Sequence, residues 1–333
     1  MGKKKIISVV LLVILLVSLL VGCQAADSGD TKEDDGKITL GFILLYRRDQ
    51  FYMDLEQAAI AAAEERGIEI IMMDADYVNE TEIAQIEAFV SQKVDAIALA
   101  PTDTNAPLGA IQAANEAGIP VFVYDTGLDD FTYVETWVGF DAYQSGVDLG
   151  TQAAAFLNDN YAGTGKVAIV DHPQNPFVLG KRVEGFKDAL AELCPGAEIV
   201  LQQDGEVKRE LAMSIAENVL TAHPDTAVWF GANPDMAYGI IAALESKGID
   251  PEKVAVYGEG WGEETLQWML GDKPYLKGVL VTPPDKQAAY TIYAVDDYFK
   301  GKTIEKETLI PTDIITKENA AEYFEQYGFV YQP

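Results

Sequence analysis

From Ile38 onward the chain alternates short apolar runs with amphipathic helical stretches, almost without interruption. Ile38-Thr39-Leu40-Gly41-Phe42-Ile43-Leu44-Leu45 is a continuous apolar run, as expected of a strand buried on both faces. A helix is expected over 51–66, with Leu55, Ala58, Ala59 and Ala62 on one face and Gly67 stopping it. Residues 68–73 read as a second strand, and Ile83, Ile86, Phe89 and Val90 mark the next helix. A strand over 95–100, a helix over 107–117 and a strand over 119–124 follow. The same grammar then restarts. Helices are expected over 143–157, 178–193, 207–222, 235–247, 263–270 and 285–299. Strands at 166–170, 199–202, 227–230, 254–257 and 276–281 lie between them. This alternation predicts an α/β chain, with parallel sheets covered by helices on both faces. Two such runs in a chain of this length predict two Rossmann-like lobes.

Ahead of the first strand lies a segment of another kind. Lys3, Lys4 and Lys5 precede an almost wholly apolar run over 6–21, which closes in Leu20-Val21-Gly22-Cys23. That is the pattern of a secretory signal peptide. The Cys directly after the small residue makes it a lipobox, resembling those of bacterial lipoproteins, so Cys23 is expected to carry the lipid. As an uncleaved anchor the run is shorter than the roughly 20 residues a spanning helix needs. The expected organisation is a leader over 1–22 and a flexible tether over 23–36, rich in Asp, Ser, Gly, Thr and Lys.

Charge and cysteine count narrow the function classes. The chain has 53 Asp and Glu against 24 Lys and Arg, a formal net charge of −29, and loss of the leader makes it three units more negative. Such a chain repels nucleic acid and anionic lipid surfaces, and solubility is the simplest reading of the charge. With Cys23 committed to lipid, Cys194 has no partner for an intrachain disulfide.

In open α/β sheets ligands sit beyond the carboxyl ends of the strands. The residues there are Tyr46-Arg47-Arg48-Asp49, Asp74, Pro101-Thr102-Asp103 and Asp125-Thr126 in the first unit. In the second they are Asp171-His172, Asp204, Ala232-Asn233 and Glu259-Gly260-Trp261. A cleft lined this way suits a hydroxylated guest. Aromatic faces take its C–H surface, while carboxylates and amides take its hydroxyl protons.

Several segments, in order and spacing, resemble the type I periplasmic binding proteins of the ribose-binding class, over about 38–311. They are Gln50-Phe51-Tyr52, Lys93-Val94-Asp95-Ala96-Ile97-Ala98-Leu99-Ala100-Pro101-Thr102-Asp103, and Gly118-Ile119-Pro120-Val121 leading to Asp125. Arg182-Val183-Glu184-Gly185-Phe186, Leu220-Thr221-Ala222-His223-Pro224-Asp225 and Asn233-Pro234-Asp235-Met236-Ala237 complete the set. The resemblance implies two lobes that close about a three-segment hinge. Its crossings fall near Phe140-Asp141, Thr282-Pro283 and Ile310-Pro311-Thr312. The N-terminal lobe is expected over 37–140 plus 283–310, the C-terminal lobe over 141–282 plus 311–333.

The resemblance also implies site residues. Phe51 and Tyr52 match the family's stacking aromatics, Asp125 its hydroxyl-binding Asp, and Asn233 its binding Asn. Asp49 stands where the family often has Asn, and Thr126 where it usually has Arg. Asp141 lies at a crossing, followed by Ala142 instead of the frequent Asn. The Arg expected before Glu-Gly-Phe falls on or near Gly180, with Lys181 and Arg182 just after it. Glu259 and Trp261 replace an expected Asp, and Thr282 an expected Gln. These departures put ribose itself in doubt.

Each residue also has a plainer reading. Phe51 and Tyr52 could be core at a helix start, and Asp125 a cap or turn residue. Arg47 and Arg48 could be solvated loop charges, or one could clamp the guest in its planar fork. Trp261 is either a stacking platform or hinge-side packing, Glu259 either faces the cleft or pairs with a Lys, and His172 counts among the candidate ligand-binding residues although a lone strand-end His is more often structural. Asp74-Ala75-Asp76 lacks the glycine of a calcium loop, there is no zinc-like His/Cys spacing, and no cofactor is expected.

The expected function is therefore a monomeric, lipid-anchored extracytoplasmic protein that captures a small sugar or polyol for the permease of an ABC importer. The chain shows no Gly-X-Ser-X-Gly elbow, Walker loop or dinucleotide fingerprint at a strand–helix turn, so an enzyme is not expected. A receptor of the same fold feeding a signalling system and a surface glycoside hydrolase are the alternatives.

Overall fold

Thr39–Leu44 (β1) is buried at every position, because its neighbours and the helices on both faces exclude water from it. The structure, a computed structural model, describes residues 36–331. Cys23, the expected leader and all but the last residue of the expected tether lie outside them.

β1 pairs in parallel with Glu69–Asp74 (β2) and Ala96–Leu99 (β3). Val121–Tyr124 (β4), Thr136–Gly139 (β5) and, numbered in chain order, Glu307–Leu309 (β11) extend this first sheet in the order β11-β5-β4-β3-β1-β2. The second sheet comprises Thr164–Asp171 (β6), Gly196–Asp204 (β7), Thr226–Gly231 (β8), Ala255–Glu259 (β9), Leu276–Val281 (β10) and Asp313–Thr316 (β12). Its order, β12-β10-β9-β8-β6-β7, repeats that of the first. All its pairs are parallel except β12, which runs antiparallel to β10 at the edge. This is the α/β fold of two lobes expected from the alternation. The antiparallel edge strand departs from the expected all-parallel sheets. The chain passes between the sheets after β5, after β10 and again between β11 and β12.

β5, β11, β12 and the short helix Ala320–Glu325 had no counterpart in the periodicity. Each is three to six residues long, too short to show a period, and long-range pairing such as Glu307 with Trp137 fixes the strands. The stretch expected as a helix over 178–193 opens with a π turn, Pro176–Gly180, in which Gly180 N–H reaches Asn175 O. The α-helix proper is Lys181–Leu193. The helix expected from 207 starts at Arg209, because Glu206 and Val207 form a left-handed turn first.

Two local arrangements set side chains at the sheet ends. Helix Ala142–Tyr161 meets Lys181–Leu193 backbone to backbone. A Cβ at Gly146 would lie 2.0 Å from Arg182 O, and one at Gly185 2.1 Å from Tyr143 O. These glycines let the two helices approach closely where Arg182 enters the interior. In the first sheet, Asp49 caps the helix Gln50–Arg66, accepting from Tyr52 N–H at 3.0 Å.

Candidate binding cleft

The carboxyl ends of both sheets face one cleft, which holds about 620 Å³ of empty space, part of it continuous with solvent. From the first sheet it receives Tyr46, Asp49, Phe51 and Tyr52 after β1, Tyr77 after β2, Asp125 and Thr126 after β4, and Phe140 after β5. From the second come Asn175 after β6, Arg182, Asn233 after β8, Glu259 and Trp261 at the end of β9, and Thr282 after β10.

Arg182 is the central polar group. It is wholly buried, yet only one nitrogen is used: Nη1 donates to Ala232 O at 2.5 Å and to Glu259 Oε2 at 2.9 Å. Its Nε and Nη2 have no hydrogen-bond partner, and neither has the buried Thr282 hydroxyl. Unsatisfied buried donors are costly, and Arg182 and Thr282 both border the cleft.

Across the cleft Asp125 is buried and accepts from the Tyr52 hydroxyl. Its backbone is left-handed, with φ 60°, an uncommon conformation for a residue other than glycine. Trp137 Nε1 donates to Asp125 O and Thr126 O at 3.3 and 3.2 Å and pins this turn, while the Thr126 hydroxyl is committed to Pro101 O. Burial pushes the Asp125 carboxyl up to about 7 and that of Asp49 up to about 6, with Glu259 a nearby like charge in both cases. Asn175 and Asn233 each spend the side-chain oxygen on a backbone N–H, Val178 and Met236 respectively, at 3.0 Å. That leaves the NH2 group as the remaining donor of each. Tyr46 and Tyr52 pack at 4.7 Å between ring centroids, and Phe51 meets Tyr52 edge-on at 5.0 Å.

A family model described as a periplasmic binding protein domain matches residues 40–303. The chain belongs to the periplasmic binding protein family. The ribose import binding protein of Bacillus subtilis is 28% identical over 95% of this chain and 100% of its own length. An ABC transporter solute binding protein from Bacillus halodurans, solved with bound myo-inositol, is 28% identical with a TM-score of 0.79, covering 89% of this chain and all of that one. An ABC transporter periplasmic solute binding protein from Actinobacillus succinogenes, solved with bound D-allose, is 25% identical with a TM-score of 0.78, covering 86% and 100%. This periplasmic binding protein has the type I fold. Among its described residues no helix is long and apolar enough to cross a membrane.

Of the residues singled out in the sequence, Asp49, Phe51, Tyr52, Asp125, Thr126, Arg182, Asn233, Glu259, Trp261 and Thr282 line the cleft of this binding protein. Three do not. Arg48 is exposed, its guanidinium lying 4.6 Å over the Tyr46 ring beside an adjoining cavity. Asp141 is exposed and caps helix Ala142–Tyr161 through Gln144 N–H. His172 stands on the rim, its Nδ1 3.0 Å from Asp204 Oδ1 and its ring against Tyr77. Arg47 is held by Glu56 away from the lining. Sequence reasoning missed Tyr77 and Asn175, placed Tyr46 at a strand end without a role and named Phe140 only at a crossing. Tyr46 and Phe140 prolong apolar runs, while Tyr77 and Asn175 sit a few residues beyond their strand ends, a distance the strand-tip rule could have covered.

Proposed function

We propose that this chain is an extracytoplasmic, lipid-anchored solute-binding protein that captures a small sugar or polyol between its lobes and delivers it to an ABC importer. The observation that carries the reading is Arg182, buried with two N–H groups unpaired and facing Asp125 across an aromatic-walled cleft. Guanidinium and carboxylate together donate to and accept from a ring's hydroxyls, and Phe51, Tyr52 and Trp261 take its apolar faces. Nothing in this arrangement requires turnover, and we assign the chain no catalytic residue. The Bacillus subtilis relative is a ribose import binding protein, and the two solved relatives hold myo-inositol and D-allose. The lobes, bounded near 140–141, 282–283 and 310–312, close on the guest about these crossings. Closure exists because the guest contacts both lobes only when they meet. Cys23 is the proposed lipid attachment site and the permease the partner of the closed monomer.

A thermal-shift panel of pentoses, hexoses and inositols tests this reading. A guest at a hundredfold its dissociation constant stabilises the chain by about 2.7 kcal/mol. Absence of any shift across the panel, with turnover of a chromogenic glycoside, would replace binding by hydrolysis. For the anchor, Cys23→Ala should release the protein from membranes. Its retention would dismiss the lipid.

A further inference from the structure

We infer that the guest carries a protonated amine as well as hydroxyl groups, which makes it an amino sugar or amino polyol. This rests on the reading of the cleft as a sugar or polyol site and narrows its chemistry.

The charges lining the cleft do not balance. Asp49, Asp125 and Glu259 face one cation, Arg182. That cation is already joined to Glu259 at 2.9 Å. Arg182 acts on Asp125 only at longer range, so neither Asp49 nor Asp125 forms an ion pair with a lining residue. Three other cations pair elsewhere, Arg47 with Glu56, Arg209 with Glu264 and Lys181 with Glu184, while Arg48 is exposed over Tyr46 and lines the adjoining cavity. Hydroxyl groups can donate to these two carboxylates but leave both charges uncompensated in a desolvated site. An ammonium group supplies hydrogen bonds and charge together.

The surroundings agree. Asp49 and Asp125 share Tyr52, the first accepting from its backbone N–H and the second from its hydroxyl, so both border one wall of the cleft. The rings of Tyr46, Phe51, Tyr52 and Tyr77 line the same side, and aromatic faces attract a desolvated cation. Burial holds both carboxyls well above their usual range, and an ammonium group beside them favours the ionised form and brings them back down. The other wall asks for the opposite. Arg182 Nε and Nη2 are donors with nothing to bond, so the guest must offer acceptors there. One molecule meets both demands if its ammonium points to Asp49 and Asp125 and its hydroxyl oxygens to Arg182. The formal charge of −29 also draws cationic solutes toward the chain.

The test is isothermal titration with matched sets of hexoses, pentoses and inositols, each as the hydroxyl, amino and N-acetyl form. In any set that binds, the amino member should be at least tenfold tighter than the hydroxyl member. The uncharged N-acetyl form should lose that gain, and Asp125→Asn should abolish the preference for the amine. A hydroxyl member that binds as tightly as its amine overturns the inference and leaves the sugar or polyol reading standing. Silence from every set overturns both.

Discussion

The indole Nε1 of Trp261 donates to Asp54 Oδ2 at 2.6 Å, joining the tip of β9 to the first helix of the other lobe. The same indole packs on Phe324, Tyr327 and Phe329 from the C-terminal segment, Tyr327 at 4.8 Å between centroids. Trp261 is thus wall, latch and packing residue at once.

Trp261→Phe should isolate the latch, because an aromatic ring survives and the N–H is lost. A net hydrogen bond contributes about 1 kcal/mol, so the dissociation constant should rise roughly fivefold with little change in melting temperature. Titration calorimetry beside thermal denaturation checks both. Unchanged affinity would make the contact incidental to closure.

A second cross-cleft contact is apolar. Phe177, in the π turn of the second lobe, meets Trp137 edge-on at 5.0 Å and Phe131 at 5.8 Å in the first. It sits over Gly127, where a Cβ would come within 2.1 Å of its ring. Gly127→Ala should weaken binding by obstructing closure, and should cost far less in a Phe177→Ala background. Non-additivity of the two substitutions is the diagnostic. Additive effects would mean the residues act separately.

Arg182 should trade stability for function. Burying a guanidinium with two idle N–H groups costs the guest-free protein, and Met fills a similar volume without them. Arg182→Met should leave the melting temperature level or raised, since Glu259 retains some access to water. Affinity should fall about a hundredfold, because charge-assisted hydrogen bonds to the guest vanish. A lower melting temperature with intact affinity would make Arg182 structural.

Asp125 and Glu82 give the guest-free protein a definite pH response. Burial raises both, Asp125 from 3.8 and Glu82 from 4.5, each to about 7. The folded state therefore binds more protons than the unfolded one between about pH 4 and 7. Their contribution to stability is full below that window and lost as pH rises through it. Subtracting the melting curves of Asp125→Asn from those of the parent should show this fall directly. Glu82→Gln should show it too, with the hydrogen bonds from Thr102 to Glu82 perturbed as well. A flat difference across the window would contradict the assignment.

The sequence revealed those parts of the fold and cleft that depend on local pattern. Apolar runs became strands because burial on both faces leaves a continuous hydrophobic signature, as at Thr39–Leu44. Asp49, Asp125, Asn233 and Glu259 were legible because they lie at strand ends or a few residues beyond them. What escaped is set by distant partners. Glu307–Leu309 is a strand only because β5 lies beside it. Tyr77 reaches the cleft only because the chain turns left-handed at Asp76 and Tyr77, φ 50° and 57°. Asp141 caps a helix outside the lining, and a helix cap and a ligand carboxylate look alike in one dimension.

Small-angle X-ray scattering of the leader-free chain, with and without its tightest-binding sugar or polyol, tests the clamp most directly. The account predicts that the radius of gyration falls on saturation, and that Trp261→Phe with Phe177→Ala reduces the fall at equal occupancy. A guest that saturates by calorimetry while the scattering curve stays unchanged would contradict it.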